Sequence, residues 1–345
     1  WSQSIIAEVY GLNVLLCFLV LFFCLRFLSN PDYRLRDLIF AALYFGLGLA
    51  NHWPLMVLAF PAFVLLLLPK WTLLYKKIPV LLAVSLSSAI PFYLWMVWRS
   101  WLPELVTFYG PINSLKEFWF YISRKGYAGV DVSPSADMTD RFNFIKHFLG
   151  EALMQISTLG GILALVGILW LIRGGKYGVL ASTLWIFLAH SIGLIFLLGF
   201  DYEFLNLAVF RPYPLVSYGI LAFWMGCGLY MVLDKVHSRF KDVKYLLKWS
   251  PLFGLLIPIF LFQKNLNANN RSNDHFAEKN SRMTLEGLEP NSVLFVYGDS
   301  ETGPLGYLHF AEGIRPDIQL LSMQGLVYPN RIFSPLISQV KKKNQ

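Results

Sequence analysis

Long apolar segments separated by short, charged connections constrain this chain more than any other feature of its sequence. A helix needs about 20 mostly apolar residues to cross a bilayer. Only 14% of the 345 residues are charged, which is too few to cover the surface of a soluble protein of this size. The sequence therefore predicts an all-α polytopic membrane bundle with about eight transmembrane segments. We place these segments at residues 11–29, 38–51, 54–69, 78–98, 150–172, 177–199, 213–233 and 246–263.

The second and third segments meet at "ANHWPL" (50–55), which interrupts one apolar stretch from 38 to 69. As a single helix, this stretch would be about 48 Å long, well beyond the ~30 Å hydrocarbon core of a bilayer. As two helices, each would be short for a span, and the chain would turn at Asn51, His52, Trp53 and Pro54. Length alone leaves both arrangements open.

The distribution of Lys and Arg between the short loops selects the hairpin. Short cytoplasmic loops of membrane proteins carry an excess of both residues. With a hairpin, the basic loop residues lie on one side, whereas a single helix would divide them between the two faces. They are Arg26, Arg34, Arg36, Lys70, Lys76, Lys77, Arg173, Lys176, Lys235, Arg239, Lys241 and Lys244. The hairpin tip, the loops 99–149 and 200–212, the N-terminal region and the tail are then predicted to be extracytoplasmic.

The same loops explain the formal net charge of +8, so we expect membrane lipids around the chain and no nucleic-acid partner. All three cysteines, Cys17, Cys24 and Cys227, fall within apolar segments, which indicates neither a disulfide nor a zinc site. HExxH and CxxC motifs are absent, and no metal ligand is assigned.

Two regions outside the apolar segments are patterned. In the loop 99–149, "SLKEFWFYISRKGY" (114–127) predicts a helix in the headgroup layer. The stretch 139–156 predicts a second amphipathic helix with Thr139 as its N-cap. From about residue 264 the chain is polar, and then 292–299, 302–313 and 316–323 predict strand, helix and strand. The predicted domains are a transmembrane domain at 1–263 and the start of a small soluble α/β domain at 264–345.

Polar side chains near the predicted outer face are the candidates for function, because such groups are costly at membrane depth. A carboxylate, an imidazole and several cations on one face suit acid/base chemistry beside a phosphate-bearing lipid. Structural explanations stay open: Glu8 can favour a helix N-terminus, His52 can cap the hairpin, and His190 can join two helices. The other residues of this group are Tyr10, Asn13, Asn51, Arg99, Asp201, Glu203 and Arg211.

Four motifs together resemble one family of multispan membrane proteins, in the same order along the chain. They are "AEVYGLN" (7–13), "GLGLANHWPL" (46–55), "SLKEFWFYISRKGY" (114–127) and "LFVYGDSETGPLGYLHFAEGIRPDIQLLS" (294–322). The family is known as domain of unknown function 2723 and glycosyltransferase family 117, and it includes the animal protein O-mannosyltransferase transmembrane protein 260. The resemblance implies a GT-C-type bundle with an extracytoplasmic active site. It also implies transfer of a sugar, mannose in the animal relatives, from a polyprenyl-phosphate carrier to a protein or glycan hydroxyl.

The resemblance assigns roles to individual residues. Glu8 and His52 are expected to be catalytic. The expected substrate-binding residues are Tyr10, Asn13, Asn51, Arg124, Lys125 and Arg211. In the implied mechanism a carboxylate activates the acceptor hydroxyl and cations stabilise the departing lipid phosphate. In the tail, Gly298, Asp299 and Pro304 match the family whereas Ser300 and Gly303 depart from it, which favours a structural turn there.

One departure from the family bears on catalysis. The family's acidic signature precedes "AEVYGLN", and this sequence starts at Trp1 without it. We therefore expect an N-terminally truncated, inactive chain that lacks its general base. The donor, a polyprenyl-phosphate-linked sugar, is the only cofactor-like molecule expected, and a divalent metal is left open.

Two other functions stay open at this point, a transporter or flippase for a lipid-linked sugar and a non-catalytic scaffold for envelope assembly. For localisation, the absence of cysteine pairs favours a bacterial inner (plasma) membrane over the endoplasmic reticulum.

Overall fold

A computed structural model describes residues 9–102, 111–123, 125, 133, 135–239, 259, 262–263, 266–267, 269–323 and 328. These residues form two compact units, the first comprising the chain up to Pro91 together with Val130–Asn269, and the second comprising Phe92–Gly129 together with the chain from Asn270. The predicted domain boundary between 263 and 264 stays a prediction. Glu8, Arg124 and nearly all of the eighth predicted segment, 246–263, lie outside the described residues.

Helices make up almost all of the first unit. They are α1 (Val9–Ser29), α2 (Leu35–Leu67), the short α3 (Trp71–Leu74), the first half of α4 (Ile78–Ser100), α6 (Met138–Arg173), α7 (Tyr177–Leu188), α8 (Leu194–Leu198), α9 (Phe204–Phe210) and α10 (Leu215–Arg239). The second unit contains α5 (Leu115–Ile122), α11 (Phe276–Glu286), β1 (Val293–Val296), α12 (Asp299–Gly306) and β2 (Gln319–Ser322).

Among the described residues, five helical segments are long and apolar enough to cross a membrane. They are Val9–Ser29, Leu35–Ser100, Met138–Arg173, Tyr177–Leu198 and Leu215–Val236. The chain is thus a mostly helical integral membrane protein, as predicted, but the count of eight spans is not confirmed. The 66-residue segment Leu35–Ser100 covers three of the predicted apolar segments.

The chain reverses direction inside α2, which confirms the predicted hairpin. In one straight helix, Phe45 and Phe60 would lie about 22 Å apart along the axis, yet their ring centroids are 5.6 Å apart. Phe45 also contacts Phe63, with centroids 6.3 Å apart. The reversal occurs at His52, whose φ of −154° and ψ of 83° are not helical.

Close helix contacts in the first unit depend on glycine and serine. Lipid tails are as apolar as leucine side chains, so membrane helices associate through close packing and interhelical hydrogen bonds. A Cβ on Gly167 of α6 would lie 1.9 Å from the Trp224 carbonyl oxygen of α10, and one on Gly228 would lie 2.0 Å from the Leu163 carbonyl oxygen. Between α2 and α4, Ser85 Oγ donates a hydrogen bond to the Ala42 carbonyl at 2.9 Å.

Helix α6 joins the amphipathic stretch at 139–156 to the fifth apolar segment. The predicted N-cap, Thr139, is wrong: Asp137 caps the helix, and its carboxylate accepts hydrogen bonds from the Thr139 and Asp140 backbone N–H groups. Asp140 completes a capping box by accepting from the Asp137 backbone N–H. The helix breaks at Ser157, whose φ of 60° and ψ of 168° favour glycine.

The tail confirms the predicted strand–helix–strand order. Strands β1 and β2 pair in parallel, with Val293 opposite Gln319 and Val296 opposite Ser322. Arg315 joins this pair to α11, because its guanidinium donates to the carbonyl oxygens of Leu285 (2.9 Å) and Leu288 (2.8 Å). These carbonyls lie at the C-terminal end of α11, where helix carbonyls lack intrahelical partners. Arg315 also pairs with Asp317 at 2.8 Å.

We expect Gly167→Ala to destabilise the bundle by about 3 kcal/mol or more, because its methyl group would collide with backbone rather than with a movable side chain. Gly161→Ala on the same helix is the matched control, since the nearest atom to its Cβ would be Leu153 Cδ2 at 4.0 Å. Thermal unfolding in detergent, followed by size-exclusion chromatography, measures both. Equal unfolding temperatures for the two variants would contradict this packing.

The contacts of Asp317 predict that the tail loses stability at acidic pH. The Arg315 guanidinium, assisted by the Asn291 backbone N–H, holds the pKa of Asp317 well below its usual range. The usual value is about 3.9, so the stabilisation is complete above about pH 4 and is lost as the pH falls further. Hydrogen exchange of α11 in the full chain should be faster in Asp317→Asn than in the native protein at neutral pH, and the difference should shrink toward pH 2. Asp274→Asn removes an exposed pair with Arg271 (2.9 Å) but keeps an amide oxygen for the Phe276 backbone N–H, so it should change α11 much less than Asp317→Asn does.

Candidate functional site

Residues from three distant parts of the chain meet around the N-terminal end of α1. The ring of Tyr10 lies 5.5 Å from the ring of His52 and 5.0 Å from the ring of Tyr213, measured between centroids. Tyr10 belongs to the first family motif, His52 to the hairpin motif, and Tyr213 follows the loop 200–212. We refer to Tyr10, His52 and Tyr213 as the tip cluster. Tyr213 was not among the residues predicted from the sequence.

His52 serves as the N-cap of the returning half of the hairpin. Its backbone is extended, and its Nδ1 accepts a hydrogen bond from the Leu55 backbone N–H at 3.5 Å. Pro54, in the first turn of this half, has no N–H to satisfy and a φ suited to a helix start. The arrangement explains why the sequence puts a polar residue and a proline together inside an apolar stretch.

Two amides extend the tip cluster along α1. The Asn51 Nδ2 group donates to the Val9 carbonyl oxygen at 2.9 Å, which ties the hairpin to the first turn of α1. One turn beyond Tyr10, Asn13 is completely buried. Within the part of the chain that the structure describes, neither its Oδ1 nor its Nδ2 has a hydrogen-bond partner. Such a group is costly to bury, so Asn13 indicates a place for a polar ligand or an ordered water.

His190 supports the hairpin from a neighbouring helix. It lies in a π-helical turn, Ala189–Gly193, between α7 and α8. Its Nε2 is 3.0 Å from the Leu55 carbonyl oxygen, and its Nδ1 is 3.0 Å from the Ile186 carbonyl oxygen. The structure thus places His190 between two helices, as the structural interpretation predicted, and next to the residue that His52 caps.

Asp201 and Glu203 hold the loop before α9 in position. Ser135 Oγ donates to Asp201 Oδ2 at 2.8 Å, and the Asp201 backbone N–H donates to Ser133 Oγ at 3.2 Å. Glu203 Oε1 accepts from Asn206 Nδ2 at 3.3 Å. The two carboxylates therefore stabilise the loop that carries them.

A carboxylate that the sequence did not single out, Glu151, lies on α6 one turn from an aromatic stack with α10. Phe148 of α6 stacks on Tyr218 of α10, with ring centroids 5.7 Å apart and planes 15° apart. Glu151 follows Phe148 by three residues on the same helix face. Arg211 is exposed and Glu151 is half-buried. Sequence reasoning missed Glu151 because it lies in an amphipathic stretch whose polar positions were assigned to the surface.

Other predicted residues lie elsewhere. Lys125 is exposed in the second unit, and Arg99 of that unit lies over the Trp95 ring at 5.8 Å, as an interfacial side chain would. In the tail, Gly298 has a φ of 82° and forms the turn between β1 and α12, a structural use of that motif. Across the described ranges, His, Cys, Asp and Glu side chains form no group of three that could hold a metal ion.

Comparisons with known proteins show what the chain is related to. A family model described as the protein O-mannosyl-transferase TMEM260 N-terminal domain matches residues 1–75. Protein O-mannosyl-transferase tmem260 of Dictyostelium discoideum is 23% identical over 384 residues, covering 99% of this chain and 46% of the relative. Its counterpart in Mus musculus, protein O-mannosyl-transferase TMEM260, is 22% identical over 342 residues, covering 95% of this chain and 48% of the relative. No solved structure matches the chain.

The chain therefore spans about half the length of the curated relatives it matches, and the predicted relation to TMEM260 proteins is confirmed. The matched residues 1–75 include Tyr10, Asn13, Asn51 and His52.

The capping geometry predicts different effects for two substitutions of His52. His52→Ala should lower the stability of the bundle by about 1 kcal/mol, because it leaves the Leu55 N–H without its acceptor. His52→Asn should retain most of that stability, since Asn is a good N-cap. Thermal unfolding of the purified protein measures both. If Ala and Asn have the same effect, the Nδ1 hydrogen bond does not stabilise the turn.

Proposed function

We propose that this relative of the TMEM260 proteins is the membrane part of a GT-C-type glycosyltransferase. In this proposal it transfers a mannose-like sugar from a polyprenyl-phosphate carrier to a hydroxyl of a protein or glycan on the extracytoplasmic side. The tip cluster carries the proposal, because it joins the first family motif to the hairpin motif within the family-matched residues. The printed names of the relatives, which are O-mannosyl-transferases, support the type of reaction.

Loop charges support an extracytoplasmic position for the tip cluster. Tyr10 and Arg26 lie near opposite ends of α1, about 24 Å apart along the helix. Arg26, Arg34 and Arg36 belong to the basic loops, and such loops are typically cytoplasmic. The opposite end of α1, where Tyr10 contacts His52, would then face the compartment in which lipid-linked sugars are used.

The chemistry needs an activated hydroxyl and a stabilised leaving group. A carboxylate takes the proton of the acceptor hydroxyl, the oxygen attacks the anomeric carbon, and the bond from that carbon to the phosphate oxygen breaks. The lipid phosphate leaves with the electron pair, and a cation stabilises its charge. We assign this last role to Arg211, an exposed cation two residues before Tyr213 of the tip cluster.

We assign the first step to a carboxylate, either Glu8, which stays a prediction, or Glu151, which is half-buried on α6. His52 would act mainly by holding the hairpin tip and Tyr10, since its Nδ1 is used by the cap. Asn13 and Asn51 would bind sugar hydroxyls, and Tyr10 would offer its ring face. Arg124 and Lys125 stay predicted contacts to the lipid phosphate, and a divalent metal is left open.

An assay with the full-length protein, a polyprenyl-phosphate mannose donor and a peptide acceptor tests this proposal. Arg211→Gln should reduce kcat/KM for the donor by about 10²-fold, as expected for the loss of one group that stabilises developing charge. Arg141→Gln, which removes a half-buried cation of α6 that donates to the Asp137 carbonyl at 3.4 Å, should retain activity. His52→Asn separates the cap from imidazole chemistry, because it preserves the turn. His52→Asn should therefore retain turnover, and full turnover in Arg211→Gln would refute the site assignment.

Transport of the same lipid-linked sugar is the second candidate function. Its support is the second broken helix, α6 at Ser157, since transporters often use paired broken helices. In liposomes without acceptor, a flippase would move a labelled lipid-linked sugar between leaflets, whereas a transferase would not. Movement of the label between leaflets would favour transport, and a label that stays in its original leaflet would count against it.

A further inference from the structure

The end of the bundle remote from the tip cluster is built around a small apolar cluster. Phe27 of α1, Leu38 of α2 and Leu74 of α3 are buried together there, with Tyr33 and Leu67 packed against them. This cluster brings together three segments that each carry cations: the end of α1, the loop 30–37, and the connector 68–77. We call this end of the first unit the basic cap, defined by Arg26, Arg34, Arg36, Lys70, Lys76 and Lys77.

A buried carboxylate forms ion pairs with two of these arginines. Asp37 has only 1% of its side chain exposed, and it lies 3.4 Å from Arg26 Nε and 4.0 Å from Arg36 Nε. Both arginine side chains remain about half exposed, at 46% and 56%. A guanidinium held in this way presents two parallel N–H donors, the geometry that suits a phosphate.

The connector brings further cations to the same place. Lys70 Nζ lies 4.5 Å from the centre of the Tyr33 ring. Tyr33 directly precedes Arg34 in the sequence, so this contact brings the Lys70 ammonium to the loop that carries Arg34. Arg34 is 48% exposed and lies 3.7 Å from a carboxylate oxygen of Asp32. With six cations and two carboxylates, Asp32 and Asp37, the basic cap retains a positive charge.

Exposed apolar side chains flank the cations on the connector. Leu68, Trp71, Leu73 and Tyr75 each have about half of their surface exposed. They alternate with Lys70, Lys76 and Lys77 over ten residues. An apolar and a basic surface side by side match the two parts of a lipid, its acyl chains and its phosphate, and this favours a lipid over a free phosphate ion.

We propose that the basic cap binds the headgroup phosphate of an anionic membrane phospholipid, with Arg34, Arg36 and Lys70 as its contacts and Trp71 and Leu73 against its acyl chains. This site is separate from the tip cluster and does not depend on the proposed transferase activity. It is more specific than the general excess of basic residues in cytoplasmic loops, because the buried Asp37 arranges the arginines.

The test measures association of phosphatidylglycerol and of phosphatidylcholine with the full-length protein in nanodiscs by native mass spectrometry. Each Lys or Arg near an anionic surface contributes about fivefold in binding at low salt. The double variant Arg34→Gln/Lys70→Gln should therefore lose phosphatidylglycerol by about 25-fold, with phosphatidylcholine unchanged. The control is Arg173→Gln/Lys176→Gln, which removes the same charge from the turn between α6 and α7. An equal loss in that control would overturn the site.

Two carboxylate variants distinguish a specific lipid-binding site from a general effect of positive charge. Asp32→Asn and Asp37→Asn each add one positive charge, but only Asp37 is buried between two arginines. Asp32→Asn should strengthen or preserve phosphatidylglycerol binding, whereas Asp37→Asn should weaken it. If both strengthen binding equally, only net charge matters and the proposal fails. Competition by inorganic phosphate at millimolar concentration would likewise overturn the assignment to a lipid.

Discussion

The reversal of the chain at His52 is the constraint on which the rest of the first unit depends. At membrane depth there is no water to satisfy a broken helix, so each freed backbone group needs a protein partner. His52 accepts the Leu55 N–H, Asn51 donates to the Val9 carbonyl, and His190 reaches the Leu55 carbonyl. Three polar side chains from two helices thus stabilise one turn. The same contacts hold Tyr10 against His52, so the turn and the candidate site are one structure.

The close packing of the helices also follows from the lipid environment. Because lipid does not drive helices together as water does, the bundle relies on contacts that leave no room for a methyl group. Gly167 and Gly228 let α6 and α10 approach to backbone contact, and Gly46 does so for α2 against Ser85. The hydroxyls of Ser85 and Ser88 then donate across this contact to α2 carbonyls.

The tail shows that a specific motif need not be a functional one. In "GIRPDIQLLS" (313–322), Arg315 satisfies carbonyls at the end of α11 and pairs with Asp317, and the following residues form β2. Tyr328 donates a hydrogen bond to the Thr302 carbonyl and lies against Gly306. Each of these motif residues has a structural partner inside the second unit. The tail motif therefore indicates a small α/β fold, and the candidate functional site lies in the first unit.

The sequence by itself determined those features of this protein that depend on a local pattern of residues. Apolar runs, loop charges and a polar interruption predicted a helical membrane protein, a hairpin at His52, and strand–helix–strand order in the tail, because hydrophobic period and turn residues act over a few positions. Family motifs named Tyr10, Asn13 and Asn51 without showing that they lie together. The tertiary structure decided that Tyr213 completes the tip cluster, that Phe148 and Tyr218 stack across α6 and α10, and that Asp37 is buried beside two arginines. These pairings join residues distant along the chain, and their energies depend on distance and burial, which only the packed bundle provides.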